Sequence, residues 1–243
     1  MIRILIGYAV AYAAFEGTAQ LAASIELSWR QVIIALAGIV AVVAVEVVLF
    51  RQGPGRALVL LGLGRPSAWS LLVAGGLSGL LLAAYPVISW LTGARFMLAP
   101  GWPILALGIF LMNGIAEEMI YRGYLFRRLR EGRTFRRAVL LGIALHAVAH
   151  LPILAVAGVV VGLSAVLVSV ATFPTYAYLY ERGRSTVWAP ALLHFTSDTI
   201  KLVIAAGALA DPAMQTATLL WLVVIAMVPY LMFALPARRS SLP

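Results

Sequence analysis

Residues 31–50 read QVIIALAGIVAVVAVEVVLF, an apolar run of 20 residues in which Glu46 is the only ionisable side chain. An α-helix needs about 20 predominantly apolar residues to cross a hydrocarbon core of roughly 30 Å. The run is apolar on every face, whereas a membrane β-strand alternates, so its backbone must be hydrogen-bonded within a helix. Over the whole chain, 63% of residues are hydrophobic and 11% are charged, against about 45–50% and 25% in soluble domains. The sequence therefore predicts an integral membrane protein.

Apolar runs separated by polar breaks predict eight membrane spans in a single domain, residues 1–243. The predicted spans, numbered in chain order, cover residues 2–22, 31–50, 69–91, 103–126, 138–153, 157–180, 187–208 and 217–236. Between the second and third spans, residues 57–63 are expected to form a short helix at the membrane interface. We therefore expect an all-α, polytopic transmembrane helix bundle.

Basic residues are distributed unevenly over the predicted loops. An even number of spans places both termini on one side, which collects 14 basic residues: Arg3, Arg51, Arg56, Arg65, Arg127, Arg128, Arg130, Arg133, Arg136, Arg137, Arg182, Arg184, Arg238 and Arg239. The opposite side has Arg30 and Arg95. Because cytoplasmic loops carry an excess of Lys and Arg, both termini are expected in the cytoplasm. The formal charge of +9 thus reflects topology and not nucleic acid binding, and the arginine-rich, lysine-poor composition is typical of a prokaryotic cell membrane protein.

Ionisable residues inside the predicted spans are concentrated in three of them. Such residues cost about 2.5–3.5 kcal/mol each on insertion and usually mark function. The fourth span carries Glu117, Glu118 and Arg122, the fifth His146 and His150, and the seventh His194 and Asp198. A rise of 1.5 Å per residue places Glu117, His150 and His194 at depths of roughly 15, 18 and 11 Å from the cytoplasmic boundary. We expect a catalytic cavity among spans 4, 5 and 7, in the cytoplasmic half of the membrane.

Spacing within the fourth span assigns different roles to its acidic residues. Glu118 and Arg122 are four residues apart and share a helix face, so they are expected to form an ion pair that supports the site. Glu117 points about 100° away from that face and is free to activate a water molecule. The chain has no cysteine, which excludes a disulfide framework and a thiolate nucleophile.

The histidines complete the predicted site. His194 and Asp198 are four residues apart and can face the same cavity, with Asp198 either acting in the site directly or bonded to His194. Two roles remain open for them at this stage. They could stabilise an oxyanion, or bind a divalent metal together with His150.

At these residues the chain resembles the CPBP family of CAAX proteases and bacteriocin-processing enzymes, which includes the Ras-converting type of prenyl endopeptidase. The first motif of that family, two glutamates followed by three residues and arginine, stands here as Glu117, Glu118 and Arg122. It continues with the family-like residues 123–129, GYLFRRL. The resemblance covers the region from about residue 102 to residue 209.

The second and third family motifs follow in the same order. The second is usually phenylalanine, three residues and histidine, and here reads His146-Ala-Val-Ala-His150. His146 therefore either fills the packing position of the phenylalanine or adds a polar group to the site. The third motif, histidine, three residues, then asparagine or aspartate, reads His194-Phe-Thr-Ser-Asp198. An aspartate there cannot donate to an oxyanion unless it is protonated.

The resemblance implies roles for four residues. Glu117 would activate the hydrolytic water with His150, and His194 and Asp198 would line the oxyanion side. Members of the family have been described both as metalloproteases and as metal-independent glutamate proteases. The implied cofactor is accordingly either none or a divalent metal such as zinc, with the same four residues as its candidate ligands.

The implied activity is intramembrane endopeptidase hydrolysis of a peptide or membrane-protein substrate within the lipid bilayer. The eukaryotic relatives imply a prenylated CAAX-type substrate, whereas the prokaryotic composition favours unprenylated peptides or membrane proteins. One alternative is a non-proteolytic membrane scaffold or bacteriocin self-immunity protein of the same fold. A proton-coupled transporter would place related broken helices in both halves of the chain, but the ionisable cluster lies only in the second half. The sequence does not assign an oligomeric state.

Overall fold

The computed structural model describes residues 1–204 and 210–235 of the chain. Every regular element within those two ranges is a helix, which confirms the predicted all-α bundle. The helices, labelled in chain order, are α1 (Ile2–Leu21), α2 (Leu27–Phe50), α3 (Pro54–Leu63), α4 (Ala68–Thr92), α5 (Trp102–Arg130), α6 (Phe135–His150), α7 (Pro152–Ala157), α8 (Val159–Arg182), α9 (Trp188–Ser197), α10 (Ile200–Val203) and α11 (Pro212–Ala234).

Six helical segments are long and apolar enough to cross a membrane, and they coincide with six of the eight predicted spans. They lie in α2, α4, α5, α6 continued by α7, α8 and α11. At the first predicted span, α1 is a helix of 20 residues that falls outside this set. Length and composition thus support six spans within the described ranges, and eight stays a prediction. Parts of the predictions lie outside the described residues: 205–208 of the seventh span, 236 of the eighth, and Arg238 and Arg239.

The seventh predicted span, residues 187–208, is not one continuous helix over its described part. Helix α9 ends at Ser197, α10 is only four residues long, and Ile204 then adopts an extended conformation, with φ −98° and ψ 113°. The hydroxyl groups of Ser197 and Thr199 donate hydrogen bonds to backbone carbonyls of α9. Side chains that bond to the backbone in this way compete with regular helix formation. The amides of Thr199, Lys201 and Leu202 then bond to the carbonyl three residues back, so the chain continues in tighter turns than an α-helix.

Helix α5 is the central helix of the bundle. Of its most apolar stretch, 61% is buried inside the protein, against 22–33% for the other five long segments. It contacts α1, α2, α3, α6, α8 and α9. Wide π-helical turns over Phe110–Ala116 and Met119–Phe126 interrupt it on either side of Glu117 and Glu118. Such turns occur frequently at functional sites, and here they flank the acidic pair of the first motif.

The interfacial helix expected at residues 57–63 is present as part of α3, but it is packed onto the bundle. Its wide last turn contains Gly62, whose φ of 101° favours glycine. The Gly62 carbonyl accepts a hydrogen bond from the Val187 amide at 3.0 Å, just before α9. Gly123 of α5 lies so close that a Cβ atom there would be 2.1 Å from the Leu61 carbonyl oxygen. Helix α3 therefore packs against the central helix and is hydrogen-bonded to the start of α9, which stabilises both.

Buried ion pairs fix the arginine-rich end of α5. The fully buried Glu46 of α2 accepts hydrogen bonds from Arg127 and from Arg128, the latter at 2.6 Å. Arg130 donates to Glu181 of α8 at 2.6 Å in a pair that is partly exposed, so the cost of a buried pair applies to Glu46 and its two arginines. Removing one partner of a buried pair leaves an uncompensated charge and costs about 3–5 kcal/mol. Three arginines of the predicted cytoplasmic cluster thus also join α5 to α2 and α8.

The contact between α3 and α5 predicts the effect of adding one methyl group. We expect Gly123→Ala to lower the thermal midpoint of the detergent-solubilised protein by several degrees, because overpacking costs about 1–3 kcal/mol. Gly79→Ala is the matched control, since a Cβ atom at Gly79 of α4 would meet nothing within 4 Å. The control should melt at or slightly above the wild-type temperature, as alanine favours helix. Equal midpoints for both variants would contradict the assigned contact.

Candidate active site

The candidate site lies where α5, α6 and α9 meet. These helices correspond to the fourth, fifth and seventh predicted spans. The four residues expected to act on substrate are half-buried: Glu117, His150, His194 and Asp198. The three residues expected to support them are fully buried: Glu118, Arg122 and His146. The side chains therefore divide into an accessible group and an inner group behind it.

Glu117 occupies a mid-helix position in α5 and is held from two directions. Its Oε1 accepts a hydrogen bond from Asn113 Nδ2 at 2.7 Å, one turn earlier on the same helix. Its Oε2 lies 4.0 Å from His194 Nε2, and its side chain is 12% exposed. The carboxyl group is thus fixed in orientation while one oxygen faces the histidine and the accessible side of the site.

Glu118 forms the predicted ion pair with Arg122. Its Oε1 accepts from Arg122 Nη1 at 2.9 Å, and both side chains are 1% exposed or less. The guanidinium group also lies over the rings of Phe173 and Tyr176 of α8, at 4.7 and 5.0 Å from their centroids. A cation over an aromatic face is electrostatically favourable, more so where water is excluded. The pair therefore links α5 to α8 in the interior.

His194 of α9 joins the two acidic residues. Its Nδ1 lies 2.8 Å from Glu118 Oε1, while its Nε2 faces Glu117. An ionised carboxylate only accepts hydrogen bonds, so Nδ1 donates its hydrogen to Glu118. The ring also packs beside Tyr176, with centroids 5.4 Å apart. Glu118 thereby fixes the orientation of the imidazole and leaves Nε2 for the reacting groups.

The two histidines of α6 have different environments. His150 Nδ1 lies 2.9 Å from the His146 carbonyl oxygen. A carbonyl only accepts, so Nδ1 carries the hydrogen and the neutral ring keeps a lone pair on Nε2. The His146 ring is buried against Tyr121 and Phe173, at centroid distances of 4.0 and 5.4 Å. Of the two expectations for His146, this position matches the one in which it fills an aromatic packing slot.

Helix α1 donates hydrogen bonds to the part of α6 that carries these histidines. Tyr8 donates a hydrogen bond to the Leu145 carbonyl at 3.2 Å, and Tyr12 donates to the Ala149 carbonyl. The two acceptor residues immediately precede His146 and His150. Because a freed carbonyl inside a membrane is costly, these hydroxyl groups stabilise the end of α6 at the site.

Asp198 is not bonded to the His194 side chain, which was one of the two alternatives for it. Asp198 instead accepts a hydrogen bond from Lys201 Nζ at 2.7 Å. The backbone amide of Asp198 still bonds to the His194 carbonyl, at 3.1 Å, but the Asp198 carboxylate bonds to the ammonium three residues later. Asp198 remains close enough to Glu117 and His194 to interact with both electrostatically.

The four candidate metal ligands do not form a coordination group. Within residues 1–204 and 210–235, no set of three or more His, Cys, Asp or Glu side chains is arranged to hold a metal ion. The Asp198 carboxylate is engaged by the Lys201 ammonium, whereas the contact of His194 Nδ1 with Glu118 leaves Nε2 free. These side chains do not fit the zinc site that the family resemblance allows, and we derive no reaction step through a metal.

Several residues of the site were missed by the sequence reasoning. Asn113 lies four residues before Glu117, so the spacing of helical neighbours was an available signal for it. Phe173 and Tyr176 come from a different helix, and their sequence context gives no sign that they face Arg122.

Comparison with known proteins identifies the region that holds the site. Residues 99–200 match the family model described as Type II CAAX prenyl endopeptidase Rce1-like. No curated protein and no solved structure gives a significant match to the chain. All seven motif residues, from Glu117 to Asp198, lie inside the matched region, and Lys201 lies just beyond it. The region of residues 99–200 is therefore similar to the Rce1-like type II CAAX prenyl endopeptidases, and the six long apolar helices of the described ranges mark the chain as an integral membrane protein.

Proposed function

We propose that this protein is an intramembrane endopeptidase in which Glu117 activates the hydrolytic water. The observation that carries the proposal is the facing arrangement of Glu117 Oε2 and His194 Nε2, 4.0 Å apart. That separation leaves both groups unbonded to each other but able to contact one reacting centre. Asn113 fixes the first group and Glu118 fixes the second. A preorganised base beside a preorganised donor is the arrangement that hydrolysis of an amide requires.

In the proposed reaction, Glu117 takes a proton from water as the water oxygen attacks the carbonyl carbon of the scissile peptide bond. His150 lies close enough to His194 to interact with it electrostatically, and its Nε2 lone pair accepts the second water hydrogen bond. Protonated His194 donates Nδ1–H to Glu118 and Nε2–H to the tetrahedral oxyanion. Collapse of the intermediate breaks the C–N bond, and Glu117 returns its proton to the leaving amine.

The substrate in this proposal is a peptide bond in a membrane-associated protein. The site is accessible through half-buried side chains within a bundle whose long helices are apolar, so a substrate enters laterally from the bilayer or from the cytoplasm. The matched family model names a prenyl endopeptidase of the CAAX type, which supports a prenylated CAAX peptide as one arm of any substrate panel. Unprenylated membrane peptides form the other arm.

Glu117→Gln tests the base directly. We expect cleavage of a fluorogenic peptide panel, prenylated and unprenylated, to fall by about 10²–10⁴-fold, the usual contribution of a general base. Glu131→Gln is the control, because the Glu131 side chain is 56% exposed at the end of α5. A Glu117→Gln protein that cleaves as fast as the wild type would contradict the proposal. A wild type inactive on every peptide, and indistinguishable from the variant, would favour the scaffold alternative.

Arg122→Met distinguishes a residue that stabilises the fold from a residue that takes part in the reaction. Breaking a buried pair costs about 3–5 kcal/mol, so this variant should lose both thermal stability and activity, whereas Glu117→Gln should lose activity alone. The double variant Glu118→Gln/Arg122→Met removes both charges and should regain part of the stability but not the activity, since His194 then lacks its carboxylate. Arg136→Met, at an exposed arginine, serves as the control. Wild-type melting of Arg122→Met would show that the pair does not support the fold.

Chelation tests whether cleavage depends on the side chains alone. Because no three candidate ligands of the described residues are arranged around a common point and Asp198 is engaged by Lys201, we expect cleavage to persist after dialysis against a strong zinc chelator. The measurement compares initial rates before dialysis, after dialysis and after zinc is returned. A rate that falls on dialysis and recovers with zinc would require the ligand set to rearrange around a metal.

A further inference from the structure

Lys201 differs from every other basic residue of this chain in its side-chain type. It is the only lysine, and the other 17 of the 18 basic residues are arginines. It lies at the candidate site and one residue beyond the region that matches the family model. A lysine ammonium is a compact point charge with three donors, whereas arginine presents a planar fork. The chain therefore places its one compact cation beside Asp198.

The backbone around Lys201 is anchored, so the position of its side chain is constrained. The carbonyls of Leu202 and Val203 accept hydrogen bonds from the amides of Ala99 and Met97, at 2.7 and 3.3 Å. Leu202 is buried in a small cluster with side chains of α5. Helix α10, although only four residues long, is thus held against the start of α5. Lys201 projects from a fixed segment and not from a free loop.

The ammonium lies on the accessible side of the site. Lys201 Nζ donates to Asp198 Oδ2 at 2.7 Å, and the two side chains are 44% and 20% exposed. The ammonium is also close enough to Glu117 to interact with it electrostatically. Asp198 occupies one of the three donors, which leaves two for another acceptor. That acceptor would lie between Asp198 and Glu117.

The charges of the site show why a donor is needed there. Of its three carboxyl groups, Glu118 is balanced by Arg122, and Glu117 is the proposed base. An unbalanced Asp198 carboxylate would repel the oxyanion that forms when water attacks. We propose that Lys201 balances Asp198 and donates a hydrogen bond to the tetrahedral oxyanion, with Asp198 as the residue that positions it. This assignment rests on the proposed function and adds an oxyanion donor from outside the three sequence motifs.

Three variants test this assignment. Lys201→Met removes the donor and leaves Asp198 unbalanced, so kcat should fall by about 10²–10³-fold, as on loss of an oxyanion donor. In Lys201→Met/Asp198→Asn the charge is gone and an amide can donate, so at least a tenfold recovery over Lys201→Met is expected. Asp198→Asn alone keeps the ammonium but removes the carboxylate that positions it, so kcat should fall, though less than in Lys201→Met. Arg95→Gln, at an exposed arginine in the neighbouring loop, controls for the loss of one positive charge.

A binding measurement makes the result independent of turnover. A peptide phosphinate mimics the tetrahedral oxyanion, and the matched planar amide peptide does not. The wild type should bind the phosphinate at least 10²-fold more tightly than the amide, as transition-state analogues do. Lys201→Met should lose most of that preference and the double variant should recover it. Thermal midpoints of all variants, measured in parallel, report on the fold.

The outcomes separate the two proposals. Recovery of both kcat and phosphinate preference in the double variant supports Lys201 as the donor. A Lys201→Met protein within threefold of the wild type in both measurements, or a loss that the double variant does not recover, overturns it. If no variant cleaves any peptide but phosphinate binding still depends on Lys201, the endopeptidase proposal fails and the anion-binding assignment stands. If the wild type neither cleaves nor prefers the phosphinate, both fail.

Discussion

The ion pair between Glu118 and Arg122 is the interaction on which the rest of the site depends. Neither charge reaches solvent, and an unpaired charge in a low-dielectric interior is strongly destabilising. Both members of the pair also contact other side chains of the site. Glu118 holds the imidazole of His194, and the Arg122 guanidinium lies over two aromatic rings of α8. One salt bridge therefore fixes α5, α8 and α9 relative to one another, and its stability is tied to the geometry of the site.

The architecture around this pair explains how a polar site is built inside an apolar bundle. Helix α5 is buried on most of its surface, so its acidic residues face protein and not lipid. The wide turns beside Glu117 and Glu118 orient two neighbouring carboxyl groups into separate environments, one inner and paired, the other outer and half-buried. Helix α3 packs onto Gly123, one residue after Arg122. Each element limits the movement of α5 where the chemistry is proposed.

The sequence predicted those features that depend on local spacing or on the cost of burying charge. The apolar runs predicted the long helices, and the separation of Glu118 and Arg122 by four residues predicted their ion pair. The bond between His194 and Glu118 was not predictable, because it joins two helices and depends on how α9 packs against α5. The packing of α3 against α5 could not be predicted either, because the sequence shows Gly123 but not the backbone that lies against it.

The most direct test of the account is a structure of the protein with a peptide phosphinate bound. Glu117 is proposed to act on the water that becomes one oxygen of the tetrahedral intermediate, and His194 to donate to the other. The account predicts one phosphinyl oxygen within hydrogen-bond distance of the Glu117 carboxyl group and the second within that distance of His194 Nε2. A phosphinate bound elsewhere, with Glu117 and His194 making no contact to it, would contradict the account.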